Sequence, residues 1–182
     1  MPLIRESIVA TLAADGRPHL APLGVIVEGE RRILAPFHPS TTLANLRRDA
    51  VACVNYVQDV RIFAGLITHR RSHWPLLPAE RVRGFRLEAA LAHEELELVD
   101  IVEDPTRPRF RFRVVHAAVH APFDGFNRAR HAVIEACILL SRRHLLPAEQ
   151  IREAIAALAP LVDKTAGEAE REAWTWIRDA LP

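Results

Sequence analysis

The chain has 182 residues, 49% of them hydrophobic and 26% charged, with a formal net charge of +1. That length suits one domain, or one domain with a helical appendage, large enough to bury a core, and the composition excludes disorder. Near-neutrality argues against a general polyanion binder, which carries a large positive excess on one face.

The N-terminal stretch MPLIRESIV is charged within its first six residues and has no signal-type apolar core. No uncharged run is long enough to span a membrane, so a cytoplasmic location is expected. Next, ESIVATLAADGRPHLAPLGVIVEGERRILAPF holds three β-rich runs separated by the turn signals Asp15-Gly16 and Glu28-Gly29-Glu30, the pattern of an antiparallel meander. STTLANLRRD predicts a short helix and AVACVNYV a fourth strand. VRIFAGLITHRRSHWPLLPAERVRGF, with its prolines and basic HRRSH, reads as a surface loop with a turn or two of helix. RLEAALAHEELELVDIVED and RPRFRFRVVHAAVHAP flank the turn DPTRP. The second run alternates Arg109, Arg111 and Arg113 against Phe110 and Phe112, as a half-buried strand does. From Asp124 onward, three segments carry apolar residues at helical spacing, one with Pro147 placed near a helix start. The expected architecture is a β-barrel-like body of about six strands over residues 1–122, followed by a helical part over 123–182 packed on the barrel.

The stretch PFHPSTTLANLRRD, residues 36–49, places Ser40, Thr41 and Thr42 in a row at a helix start. One hydroxyl is enough to cap a helix. Three suggest an anion, because a helix N-terminus presents unpaired N–H groups and a partial positive charge to which hydroxyl donors can be added. Asn55 interrupts an apolar strand, and its buried amide needs a partner, either a ligand edge or a neighbouring backbone. Asn45 on the short helix raises the same question. Gly24 within a strand marks either a close approach or a β-bulge.

Cys53 and Cys137 lie in apolar runs and read as small buried hydrophobes. His116 and His120 would share a strand face but lie ~13 Å apart, so no metal site is expected. Glu135 and His131 read as an intrahelical pair, or Glu135 as an anchor for an arginine across a subunit interface. HRRSH and RPRFRFR do not make a nucleic-acid surface, since the phenylalanines and arginines of the second stretch point to opposite faces. No hydrolase triad order, zinc spacing, P-loop or glycine-rich dinucleotide motif is present.

The runs ESIVATLAADGRPHLAPLGV, ILAPFHPSTTLANLRRDAVACVNYV and FNRARHAVIEACILLSRR carry a resemblance to the FMN-binding split barrel, the fold of pyridoxamine-phosphate oxidases and many flavin reductases. Within that superfamily the chain most resembles domain of unknown function family 447, found in archaea and in some bacteria with one-carbon metabolism. The resemblance implies a homodimer with FMN at the subunit interface and cytoplasmic flavin redox chemistry on a small molecule, by family context a pterin-type one-carbon carrier or its precursor. A binding module acting as sensor or carrier is the alternative, and a barrel whose flavin affinity has been lost is a third. The resemblance also implies cofactor contacts at Leu23, Gly24 and Val25 of the second strand, at Pro36, Phe37, Ser40, Thr41 and Thr42 of the turn, and at Asn45 and Asn55. In the better-known oxidases the turn reads Ser-x-Lys. Here Thr42 stands at the lysine position, so the phosphate needs its positive charge from elsewhere: Arg128 and Arg130 of FNRAR by preference, or Arg70 and Arg71. No catalytic side chain is implied.

Overall fold

The computed structural model describes residues 2–182 and divides into two compact units. The first comprises the described residues through Val57 together with Pro75–Pro122. Its elements in chain order are β1 (Leu3–Leu12), β2 (Pro18–Glu28), β3 (Arg31–Leu34), α1 (Thr41–Asp49) and β4 (Val51–Tyr56), then, after the segment belonging to the other unit, β5 (Leu76–Pro78), β6 (Phe85–Leu87), β7 (Ala92–Val102) and β8 (Arg109–Val119). Six of these strands close an antiparallel barrel in the order β1-β2-β3-β8-β7-β4. β5, and the first residue of β6, lie in the stretch whose sequence reads as loop with a turn or two of helix.

Closure requires β4 to pair with both β1 and β7, although β3 precedes it in the chain. The connection is α1, and its sequence suits the task. Leu43 and Leu46, one turn apart, join Val9, Val25, Leu34, Ala52, Val54, Leu96, Phe110 and Phe112 in a single core, while Arg47 and Arg48 favour the negative end of the helix dipole. Ala50, at φ 58°, ends the helix so that β4 can begin one residue later.

Arg32 lies on the core-facing side of β3, two residues from Leu34, and reaches Glu94 of β7 with two hydrogen bonds of 2.7 and 2.6 Å. Tyr56 donates to the same carboxylate at 2.9 Å. Both ionic side chains are largely buried, and the bidentate geometry with a third donor is what makes such burial tolerable.

The outer side of β1, β4 and β7 is also buried, which is why SIVATL and VACVNY lack a polar alternate face. Residues 79–87 cover it, with Val82 packed against Ala10 and Cys53. Asn55 accepts the Leu87 N–H at 2.8 Å and donates to the Ile8 carbonyl at 3.0 Å. Glu95 accepts the N–H groups of Glu80, Arg81 and Val82 at 2.7, 2.7 and 2.9 Å. Burial pushes the Glu95 carboxyl up, but those three donors and His93 outweigh it and bring it down to about 2. Burial and the Glu95 charge push the Cys53 thiol up to about 12, so this cysteine is an inert hydrophobe.

The second unit, Gln58–Trp74 and Phe123–Pro182, is helical: α2 (Arg61–Thr68), α3 (Arg128–Ser141), α4 (Ala148–Thr165) and α5 (Glu168–Asp179). Residues 58–74 belong to this unit and not to the barrel unit. Asn127 caps α3 by accepting the Ala129 and Arg130 N–H groups and ties it to α4 by donating to the Thr165 carbonyl. Arg61 binds Asp59 and Glu172, linking α2 to α5. Gly65 allows α2 to approach its neighbours: a Cβ there would lie 2.8 Å from the Arg71 carbonyl oxygen and 3.3 Å from Trp176. Among the described residues no helix is long and apolar enough to cross a membrane.

Replacing Glu94 with alanine leaves Arg32 buried without its counter-ion and should lower unfolding free energy by about 3 kcal/mol. Gly65→Ala should lower it by about 1–3 kcal/mol through overpacking. Urea unfolding followed by circular dichroism measures both.

Candidate cofactor site

The three consecutive hydroxyls at the start of α1 have three different environments. Ser40 is the N-cap, extended in backbone, and its Oγ accepts the Leu43 N–H at 3.2 Å. Thr41 is exposed. Thr42 is buried, its Oγ1 3.2 Å from Nε2 of His19 on β2. Burial pushes the His19 pKa down, so the ring facing Thr42 is neutral at pH 7. The first turn of α1 contains no acidic residue, and its leading N–H groups have no intrahelical acceptor. A partial positive charge, backbone donors and an exposed hydroxyl therefore converge at one point, an arrangement suited to a phosphate.

The turn that precedes the helix is held by the β7–β8 connection. Asp104 accepts the N–H groups of Thr106 and Arg107 at 2.8 and 2.7 Å, forming the DPTRP turn. From that turn Arg107 donates through Nε and Nη2 to the Ala35 carbonyl at 3.0 and 2.9 Å, and its guanidinium lies 4.4 Å from the centre of the Phe37 ring. The His38 N–H donates to the Thr106 carbonyl. Pro36 is buried and Phe37 exposed. Arg107 is thus a cation held against the Ala35–Phe37 segment that leads into the hydroxyl turn. Sequence order hid it, because it lies 65 residues or more along the chain from Ser40–Thr42.

The remaining expected contacts distribute differently. The Asn45 amide is buried and donates to Thr11 Oγ1 at 2.9 Å. The Asn55 amide is satisfied by backbone, the second of its two alternatives. The Val25 side chain is fully buried in the barrel core. The Leu23 carbonyl accepts from Ser7 at 2.8 Å. Gly24 sits in unbroken register opposite Glu6, so there is no bulge; a Cβ there would lie 2.8 Å from the Ile4 methyl, which accounts for the glycine. Arg130 belongs to the helical unit, where it binds Asp124 at 2.8 Å and Glu170 at 2.9 Å, so two carboxylates already neutralise it. Arg128 is exposed in the same unit, as are Arg70 and Arg71, the latter stacked on Trp74 at 3.8 Å. The helical unit also contains a cavity of about 310 Å³ lined by Leu66, Ile67, His69, Leu140, Ser141, Arg143 and His144, none of which is an expected site residue.

Solved structures of the same architecture define the class. The FMN-bound protein MM1853 from Methanosarcina mazei matches with a TM-score of 0.85 at 23% identity, over 100% of this chain and 96% of that one. The 2-nitrobenzoate 2-nitroreductase NbaA of Pseudomonas fluorescens matches with 0.54 at 20% identity over 66% of each chain. Flavoredoxin of Desulfovibrio vulgaris matches with 0.52 at 13% over 64% of this chain and 70% of that one. The fold is the FMN-binding split barrel. The chain belongs to the family described as protein of unknown function (DUF447): the N-terminal domain model matches residues 5–121 and the C-terminal one 127–179. No curated protein matches the sequence.

Ser40→Ala removes the cap and should destabilise the protein by about 1 kcal/mol. Thr41→Val, at an exposed position, should stay within about 0.5 kcal/mol of the parent. Thermal unfolding of the two variants side by side separates the structural hydroxyl from the open one.

Proposed function

We propose that this protein is a flavoprotein that seats the phosphate of FMN at the N-terminus of α1 and uses the flavin in redox chemistry on a small molecule. The reading includes a cytoplasmic homodimer with the flavin at the subunit interface. The observation that carries it is the α1 N-terminus: an acid-free first turn, a Ser40 cap, the exposed Thr41 hydroxyl and Arg107 against the turn. The full-length likeness to a family relative described as FMN-bound supports the same assignment.

The residues present fit the group. The first-turn N–H groups and the Thr41 hydroxyl would donate to phosphate oxygens. Thr42 cannot replace a lysine in charge, and its hydroxyl is held by His19; Arg107 supplies the cation that this position lacks. Arg107 keeps two donors on the Ala35 carbonyl, so its position does not depend on the ligand. When bound, FMN supplies hydride or electron transfer, and the chain contributes binding, orientation and charge. The exposed apolar side chains of Leu3 and Ile4 on β1 are consistent with a subunit contact.

An absorbance spectrum of the freshly purified protein tests the cofactor, with flavin bands near one FMN per chain expected. Arg107→Ala and the double change Thr41→Ala, Thr42→Ala should each weaken FMN binding about 10-fold or more, the worth of a hydrogen bond to a charged group. Unchanged affinity in both would remove the phosphate seat. Anaerobic reduction by a nicotinamide donor and reoxidation by added acceptors separate an enzyme from a flavin carrier, and light scattering should give twice the chain mass.

A further inference from the structure

On the outer side of the barrel wall, Glu95 of β7 stands directly opposite His116 of β8, and two residues earlier His93 stands opposite Ala118. The small alanine leaves room for the His93 ring between two others: its centroid is 5.6 Å from that of His116 and 5.1 Å from that of His120, to which it is nearly parallel. His93 Nε2 is 3.2 Å from Glu95 Oε1, and His93 Nδ1 is 2.9 Å from His120 Nε2. His116 Nε2 lies 3.3 Å from Glu80 Oε1. That contact lacks hydrogen-bond geometry, so the buried Nε2 has no hydrogen-bond partner. His93 and Glu95 are fully buried.

We propose that His93, Glu95 and His116 form a site for a divalent transition-metal ion of the zinc class, with Glu80 as a fourth ligand. One donor atom from each of the first three lies within 4.8 Å of the others. In a tetrahedral site with metal–ligand bonds near 2.0–2.1 Å, neighbouring donor atoms are about 3.4 Å apart. The 3.2 Å His93–Glu95 and 3.3 Å His116–Glu80 separations already match two such edges, and rotation of the exposed Glu80 side chain would complete the set. Two imidazoles with two carboxylates are a borderline donor set that suits zinc better than calcium or magnesium.

A purely structural role explains Glu95, whose charge is met by the three N–H groups of residues 80–82. It does not explain a buried imidazole nitrogen with no hydrogen bond, since buried polar atoms nearly always have one. Metal ligation does. It also gives His120 a role, because an imidazole bound through Nε2 carries its proton on Nδ1, and His120 Nε2 is placed to accept it.

Untagged full-length protein, stripped with a chelator, is titrated with Zn²⁺ against a chromophoric competitor, with and without added FMN. One equivalent per chain is expected in both conditions. His116→Ala should bind about 100-fold more weakly and Glu80→Gln about 10-fold more weakly; Glu80 is exposed and Glu80→Gln retains its backbone N–H donor, so this variant tests the site even where His116→Ala folds poorly. No stoichiometric binding by the parent protein, or parental affinity in His116→Ala, overturns the proposal. Parental affinity in Glu80→Gln removes the fourth ligand.

Discussion

The barrel unit depends on the closing strand. β4 pairs with β1 on one side and β7 on the other, so the chain must cross from β3 over the end of the barrel to reach it, and α1 is that crossing. Leu43 and Leu46 pack into the barrel core, which fixes the helix, and a fixed helix fixes its N-terminus. The placement of Ser40, Thr41 and the first-turn N–H groups at one point is therefore a by-product of barrel closure. The anion-attracting end of a dipole stands on a rigid scaffold, the condition under which electrostatic recognition is precise.

Polar groups largely shielded from solvent are used as fasteners on both sides of the same wall. Inside, Arg32, Glu94 and Tyr56 satisfy one another; outside, Asn55 and Glu95 bind the backbone of residues 79–87 and hold it over β4 and β7. Each group is costly alone and tolerable only with its partners. A strand with both faces covered is mostly apolar, so the buried polar residues in it are conspicuous: Asn55 in β4, and His93, Glu94 and Glu95 in β7.

Strand and helix periodicities, being local, were legible. The three N-terminal runs, the STTLANLRRD helix, the alternating RPRFRFRV strand and the C-terminal helices could all be read from residue spacing, and the hydroxyl turn identified the candidate site. The partners were not legible, because pairing across strands obeys register and not spacing. His19 meets Thr42, Arg107 meets the Phe37 turn, and His93 meets both His116 and His120, each from a different element. Spacing along one strand set His116 and His120 apart; the adjacent strand supplies the ring between them.

Outside residues 60–85, the residue order alone determined which segments would be strand or helix, that the helix after β3 would begin on a hydroxyl cluster, and, through the resemblance its motifs carry, the split-barrel class. Those are properties of neighbours in the chain, governed by side-chain periodicity and by caps one turn long. Only the tertiary structure decided that the Asn55 amide serves the backbone, that Arg130 is bound by Asp124 and Glu170, and that Arg107 is the cation beside the turn. The physical reason is that a buried polar or charged group takes whichever partner the fold brings within about 3 Å, and that partner is set by closure and register across many residues of intervening chain.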